Sequence, residues 1–129
     1  MDTRRKIIGC EQAAALAADL RRQGATIRIV TGYFDVLVAG QVRRLREIAA
    51  GSAKVFVVVL DPPSPLLAAS ARAELAAALA MVDYVVPAGE QAAEEWLSRF
   101  PAGEIVREES ADLLRAERLR QHLQRRHQQ

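Results

Sequence analysis

Aromatic residues are scarce: they make up 5% of the 129 residues, so a core has to be built from Ala, Leu, Val and Ile. Half of the chain is nonetheless hydrophobic, enough to fill the interior of the one domain that the length predicts. Cysteine is scarcer still. Cys10 is the single one, so no intrachain disulfide is expected, which suits a reducing, cytoplasmic setting. No His or Cys lies close to it, and Cys10 reads as a packing residue rather than a metal ligand or nucleophile. Long apolar runs are missing too. Nothing approaches the roughly 18 uninterrupted apolar residues of a membrane span, and the opening "MDTRRKIIGCEQ" is basic without the apolar region of a secretory signal. The two histidines, His122 and His127, are five apart and not at the i, i+4 spacing of a zinc pair.

Charge is nearly balanced, at a net +2, but it is unevenly placed. Residues 110–129 hold five arginines against Asp112 and Glu117, a net of +3, and residues 1–109 carry a net of −1. The basic character belongs to the C-terminal tail. Arg115, Arg118, Arg120, Arg125 and Arg126 lack interleaved aromatics, so nucleic acid is not the expected partner. A solvated face, or one docking an acidic partner, is the simpler reading.

Periodicity divides the rest. "EQAAALAADLRRQ" (11–23) repeats apolar residues at helical spacing up to Gly24. "TIRIVT" (26–31) is a short β-branched strand. Residues 39–50 are helical, with Val42, Leu45, Ile48 and Ala49 on one face. "KVFVVVL" (54–60) is apolar almost throughout, as a strand covered on both faces must be. "DPPSP" (61–65) is a loop. An alanine-rich helix follows over 66–81, then a strand over 83–87, a helix over 90–99, a weak strand over 103–107, and a last helix to about residue 126, capped by Ser110. Leu113, Ala116, Leu119 and Leu123 share one side of that last helix.

Helices alternating with buried strands predict an α/β fold: a single Rossmann-like domain with a doubly wound parallel sheet of about four to five strands and flanking helices. Residues 1–109 would form the body, and 110–129 a basic C-terminal helix of the same domain. Ligands of such sheets bind at the carboxyl ends of strands, at a topological switch point. The turn "TGYFDVLVAGQV" (31–42) lies there.

That turn and its surroundings resemble the cytidylyltransferase-like nucleotidyltransferase superfamily, in particular the adenylyltransferase domain of the heptose-phosphate (ADP-heptose synthase) type. The family carries Thr-Asn-Gly-Cys-Phe-Asp after its first strand, then Leu-His-Ala-Gly-His and a helix. Gly32, Phe34, Asp35, Leu37, Ala39, Gly40, Val42 and Leu45 match in register. Further on, "RAELAAALAMVDYVVPAGE" is similar to a second family stretch through Arg72, Glu74, Val82, Asp83, Tyr84, Pro87 and Glu90. The resemblance spans roughly residues 6–106. It implies transfer of a nucleotidyl group from ATP or CTP with Mg²⁺, a phosphorylated small molecule as acceptor, and often a homodimer. Its site maps onto Thr31, Gly32, Tyr33, Phe34, Asp35, Gly40, Gln41 and Arg72 as nucleotide- or phosphate-binding positions.

The catalytic imidazoles are not there. The family's two histidines fall on Val38 and Gln41, and the Asn before the glycine is Thr31. Losing one preorganised donor to a developing oxyanion costs about 2.7–4 kcal/mol, and losing both slows transfer on the order of 10⁴-fold or more. The loop after the second strand lacks the family's cation, and the Ser/Thr- or Lys-Gly-rich motif expected after the fourth strand is replaced by "VREESADLL". No catalytic residue and no metal ligand can therefore be named.

Plainer readings stand beside these. Gly32 and Gly40 either admit a phosphate or only shape the turn. Asp35 either holds a metal or caps the next helix, or it is turn structure. Tyr33 and Phe34 either sandwich a base or supply core. Asp61 is a metal or ribose ligand, or a turn former. Three functional expectations follow: a degenerate nucleotidyltransferase domain with at most weak nucleotide or phosphate binding and a regulatory or assembly role; an active transferase rebuilt around Thr31, Gln41 and Arg72 with Mg²⁺; or an interaction module using the basic C-terminal helix.

Overall fold

The computed structural model describes residues 2–35, 39–51 and 53–127. Its centre is a four-stranded, wholly parallel sheet of β1 (Ile27–Gly32), β2 (Lys54–Val59), β3 (Tyr84–Pro87) and β4 (Ile105–Arg107), in the order β3-β2-β1-β4. The helices are α1 (Cys10–Arg22), α2 (Ala39–Ile48), α3 (Ala69–Ala77), α4 (Glu90–Leu97) and α5 (Glu109–His127). The expected fold class is the one found.

The alternation of side chains along the strands creates two cores. Ile27, Ile29, Phe56 and Val58 point to one face, where they meet Ala13 and Ala17 of α1 and Ala93, Trp96 and Leu97 of α4. Val30, Val55, Val57 and Val59 point to the other, against Leu45 and Ile48 of α2 and Ala73, Ala76 and Ala77 of α3. With few aromatics available, small alanines let the helices approach the sheet closely. Cys10 opens α1 and packs against the first core, where burial pushes its thiol pKa up, away from a reactive thiolate.

Helix ends follow local chemistry. Gly24 takes φ 82°, and the Ala25 and Gly24 amides return to the Leu20 and Arg21 carbonyls, which closes α1 in a Schellman arrangement. The alanine-rich helix is shorter than the expected 66–81. The Leu66 and Leu67 amides ahead of it donate to the Asp35 carboxylate, each at 2.8 Å. Ser110 is not the cap of the last helix. α5 begins one residue earlier, so Ser110 lies inside its first turn.

Strands β1, β2 and β3 are laid down in one direction across the sheet. The chain then crosses back to place β4 on the far side of β1. The topological switch point is thus the crevice between β1 and β4, and the turn leaving β1 and the start of α5 both open onto it.

Candidate functional site

The turn leaving β1 is tightly formed. Phe34 has φ 53°, the left-handed region that costs a bulky residue roughly 1–2 kcal/mol, and its ring is 1% exposed in the core beside α2 and α3. Its burial accounts for the strain, and it is unavailable to stack on a base. Tyr33 is half-buried at the rim. Burial, with Glu109, Glu90 and Asp112 nearby, raises its phenol pKa, so the ring stays neutral. The Asp35 carboxylate pins the proline loop by accepting from the Leu66 and Leu67 amides. Val38 lies outside the described residues, so the first of the two replaced histidine positions has no structural account. At Gly40, a Cβ would meet no described atom closer than the Arg43 guanidinium at 3.9 Å, so packing does not demand glycine there.

Gln41, at the second histidine position, is 4% exposed. Its Nε2 donates to Asp112 Oδ1 at 2.7 Å, and the Tyr33 backbone amide donates to Asp112 Oδ2 at 2.8 Å. Arg115, one turn along α5, reaches Oδ1 at 3.2 Å. A carboxylate of the chain itself therefore sits over the turn, on the donors the resemblance would aim at a phosphate. Gly32 makes room for it: a Cβ there would stand 2.5 Å from Asp112 Oδ2. Neighbouring groups do the same on a wider scale. Thr31 is fully buried and donates its hydroxyl to Glu109, the Glu108 amide donates to the Thr31 carbonyl at 2.9 Å, and Arg44 Nε donates to Glu108 at 2.7 Å.

These bonds do not make Asp112 a comfortable anion. Its pKa is pushed up to about 6, chiefly by burial, with Glu108 and Glu109 adding like charge and the Tyr33 amide and Arg115 opposing. Two neutral donors and one arginine do not replace the water the carboxylate has lost.

Arg72 was expected among the phosphate ligands, but its guanidinium is turned inward and is 2% exposed. It donates to the Leu60 carbonyl at 2.6 Å, to the Leu67 carbonyl at 3.2 Å and to Asp61 at 2.8 Å. It clamps the proline loop to the end of β2, and Asp61 serves as its partner. Of the proposed site residues, the fold thus gathers Gly32, Tyr33 and Gln41 around Asp112, sets Thr31 against Glu108 and Glu109, and directs Phe34, Asp35 and Arg72 to structural contacts.

Above the turn lies a cleft of about 620 Å³ between the proline loop and α5, with Pro62, Pro63 and Leu66 on one wall and Leu113, Leu119 and Leu123 on the other. A smaller hollow of about 240 Å³ beside Tyr33 is ringed by Asp61, Glu90, Glu94 and Glu109. Among the described residues, no three His, Cys, Asp or Glu side chains are grouped to hold a metal ion. No helix of the described structure is long and apolar enough to cross a membrane.

Asp112 was not expected as a site residue. The acidic run "EESAD" was visible after the fourth strand, but Asp112 lies 71 residues from Gln41, and only the closing of β4 against β1 joins them.

No protein-family model matches the chain. It is similar to the bifunctional protein HldE of Coxiella burnetii, 38% identical over 90 residues that cover 62% of this chain and 19% of that protein. It is similar also to the bifunctional protein HldE of Pseudomonas aeruginosa, at 30% identity over 112 residues, and of Azotobacter vinelandii, at 29% over 112 residues. Both of those matches cover 80% of this chain and 24% of the relative. The chain spans about a fifth to a quarter of the length of these curated relatives.

Proposed function

We propose that this chain is a cytidylyltransferase-like nucleotidyltransferase domain, related to the sugar-phosphate adenylyltransferases, that has given up nucleotidyl transfer and acts as a binding or assembly module. The likeness to bifunctional HldE proteins and the parallel sheet with its site at the β1/β4 switch point support the ancestry. One observation carries the loss of activity: the Asp112 carboxylate occupies the Tyr33 amide and the Gln41 side chain.

The electrostatics point the same way. An environment that raises the pKa of a singly charged carboxylate to about 6 is worse for a triphosphate, which brings several charges to the same place. Transfer of a nucleotidyl group is mostly a matter of positioning anions and spreading transition-state charge. Here Glu108, Glu109 and Asp112 surround the turn, and Arg72, the buried cation at the end of β2, is committed to Asp61 and to carbonyls. ATP or CTP with Mg²⁺ therefore does not fit the residues present. A site rebuilt around Thr31, Gln41 and Arg72 is disfavoured for the same reason, because each already has an acceptor within the chain.

The test is pyrophosphate release from ATP and from CTP with a panel of sugar phosphates, together with calorimetric titration of each nucleotide. The expected result is no release above background and no saturable heat at millimolar nucleotide. Efficient release with any acceptor would overturn the proposal. Weak binding without release would leave it standing as a degenerate site.

A further inference from the structure

We infer that the cleft between the proline loop and α5 takes a small organic cation, an apolar body ending in a protonated amine that donates to Asp112. This ligand would serve the binding module proposed above, and its place rests on that reading.

At about 620 Å³ the cleft falls in the range that holds small molecules. Its walls are apolar, with Pro62, Pro63 and Leu66 facing Leu113, Leu119 and Leu123. Leu66 is 70% and Leu123 55% exposed, so each wall still has apolar surface to bury. A hydrocarbon body suits such walls better than a sugar, whose hydroxyls would find few partners there.

The polar groups at the floor decide the charge of the head group. Asp112 and Gln41 line the cleft, and both are more than nine-tenths buried. A carboxylate has about four places for donors. Three are taken, by the Gln41 side chain and Arg115 on Oδ1 and by the Tyr33 amide on Oδ2. A ligand filling the cleft strips water from the place that is left, and only a ligand carrying a donor replaces it. A charged donor does so best. The carboxylate is already short of compensation, since burial and the neighbouring Glu108 and Glu109 push its pKa up to about 6.

An anionic head group is disfavoured. Arg120, the basic group of the lining, is held by Glu117 at 3.2 Å. Asp35, Asp112 and Glu117 outnumber it, and Arg115 beside Asp112 does not reverse the balance. Tyr33, whose phenol stays neutral, adds an aromatic ring at the rim, which also favours a cation.

Calorimetry of the full chain with octylamine, octanol and octanoate varies the head group on one apolar body. Octylamine is protonated at about pH 7, as a lysine side chain is. It should bind saturably and about tenfold or more tighter than octanol, with no saturable heat from octanoate. Asp112→Asn should bring octylamine to the affinity of octanol, with its melting transition showing that it is folded. Leu66→Ser should weaken octylamine and octanol by the same factor, because it cuts back a wall that both use. Glu95→Gln, which removes an exposed acid on α4, should change neither. Octylamine no tighter than octanol, octanoate binding as well as octylamine, or an amine preference that survives in Asp112→Asn would each overturn the proposal. Pyrophosphate release from ATP and CTP is measured on the same protein. No release together with no octylamine heat would overturn the cation alone, whereas efficient release would overturn both readings.

Discussion

Replacing Asp112 by Asn removes the charge while keeping the shape, and its effect on stability should depend on pH in a way that reports on the whole site. The folded pKa of about 6 stands roughly two units above the ordinary value of 3.8. Each unit corresponds to about 1.36 kcal/mol, so ionised Asp112 lowers folding stability by about 2–3 kcal/mol at neutral pH. The sign follows from proton counting. Between the two pKa values the folded chain holds the proton and the unfolded chain does not, so the contribution of this group is most favourable at low pH. It declines as pH rises through about 6 and is flat above. In the Asn variant, the amide oxygen accepts from the Tyr33 amide, and its NH₂ donates to the Gln41 oxygen once that side chain turns over. Urea midpoints of both proteins should be compared from about pH 4.5 to about pH 8, so that other carboxylates cancel. The Asn variant should be the more stable by about 2–3 kcal/mol at neutral pH, with the difference shrinking toward zero in acid. A wild type that is the more stable at neutral pH would refute the reasoning. It would mean that the turn holds an anion well, and the argument against phosphate would fall with it.

Gly32→Ala should destabilise the fold by about 1–3 kcal/mol, because the new methyl stands 2.5 Å from Asp112 Oδ2. A double-mutant cycle in urea with Asp112→Ala should recover part of that loss, and strict additivity would show that the clash lies elsewhere. Arg72→Leu should cost about 3 kcal/mol or more, since it leaves the Leu60 carbonyl without its buried donor and cuts the clamp to Asp61. Arg72→Lys should not restore it, because one ammonium cannot reach the same spread of acceptors. Asp35→Ala should cost only about 1 kcal/mol overall, but amide exchange at Leu66 and Leu67 should accelerate, and unchanged exchange there would show that the carboxylate is not what holds the proline loop.

Which parts were legible beforehand follows from the range of the interactions that set them. Gly24, Gly51 and the proline loop are local punctuation, and the apolar run of β2 announced a strand buried on both sides before any partner was known. Errors arose where a distant side chain intervened. The helix expected over 66–81 runs from Ala69 to Ala77, and the amides of Leu66 and Leu67 just before it are tied to Asp35, far back in the chain. The resemblance names Thr31, Gly32, Tyr33 and Gln41 for a phosphate; in the fold Gly32, Tyr33 and Gln41 converge on Asp112, and Thr31 meets Glu108 and Glu109. Arg72 kept a place beside the site and was turned to the carbonyls beneath it.

By itself, the sequence determined the α/β class, the parallel order of elements and the position of the turn, since strand burial, helix periodicity and turn residues act within a few positions of one another. Only the tertiary structure decided what the turn faces. The crossover that carries β4 back beside β1 delivers the acidic start of α5 onto Gly32 and Gln41, joining residues too far apart in the chain for any spacing rule to pair. Whether a carboxylate or a phosphate meets those donors is a question of desolvation and shared hydrogen bonds, and those exist only once the chain has closed.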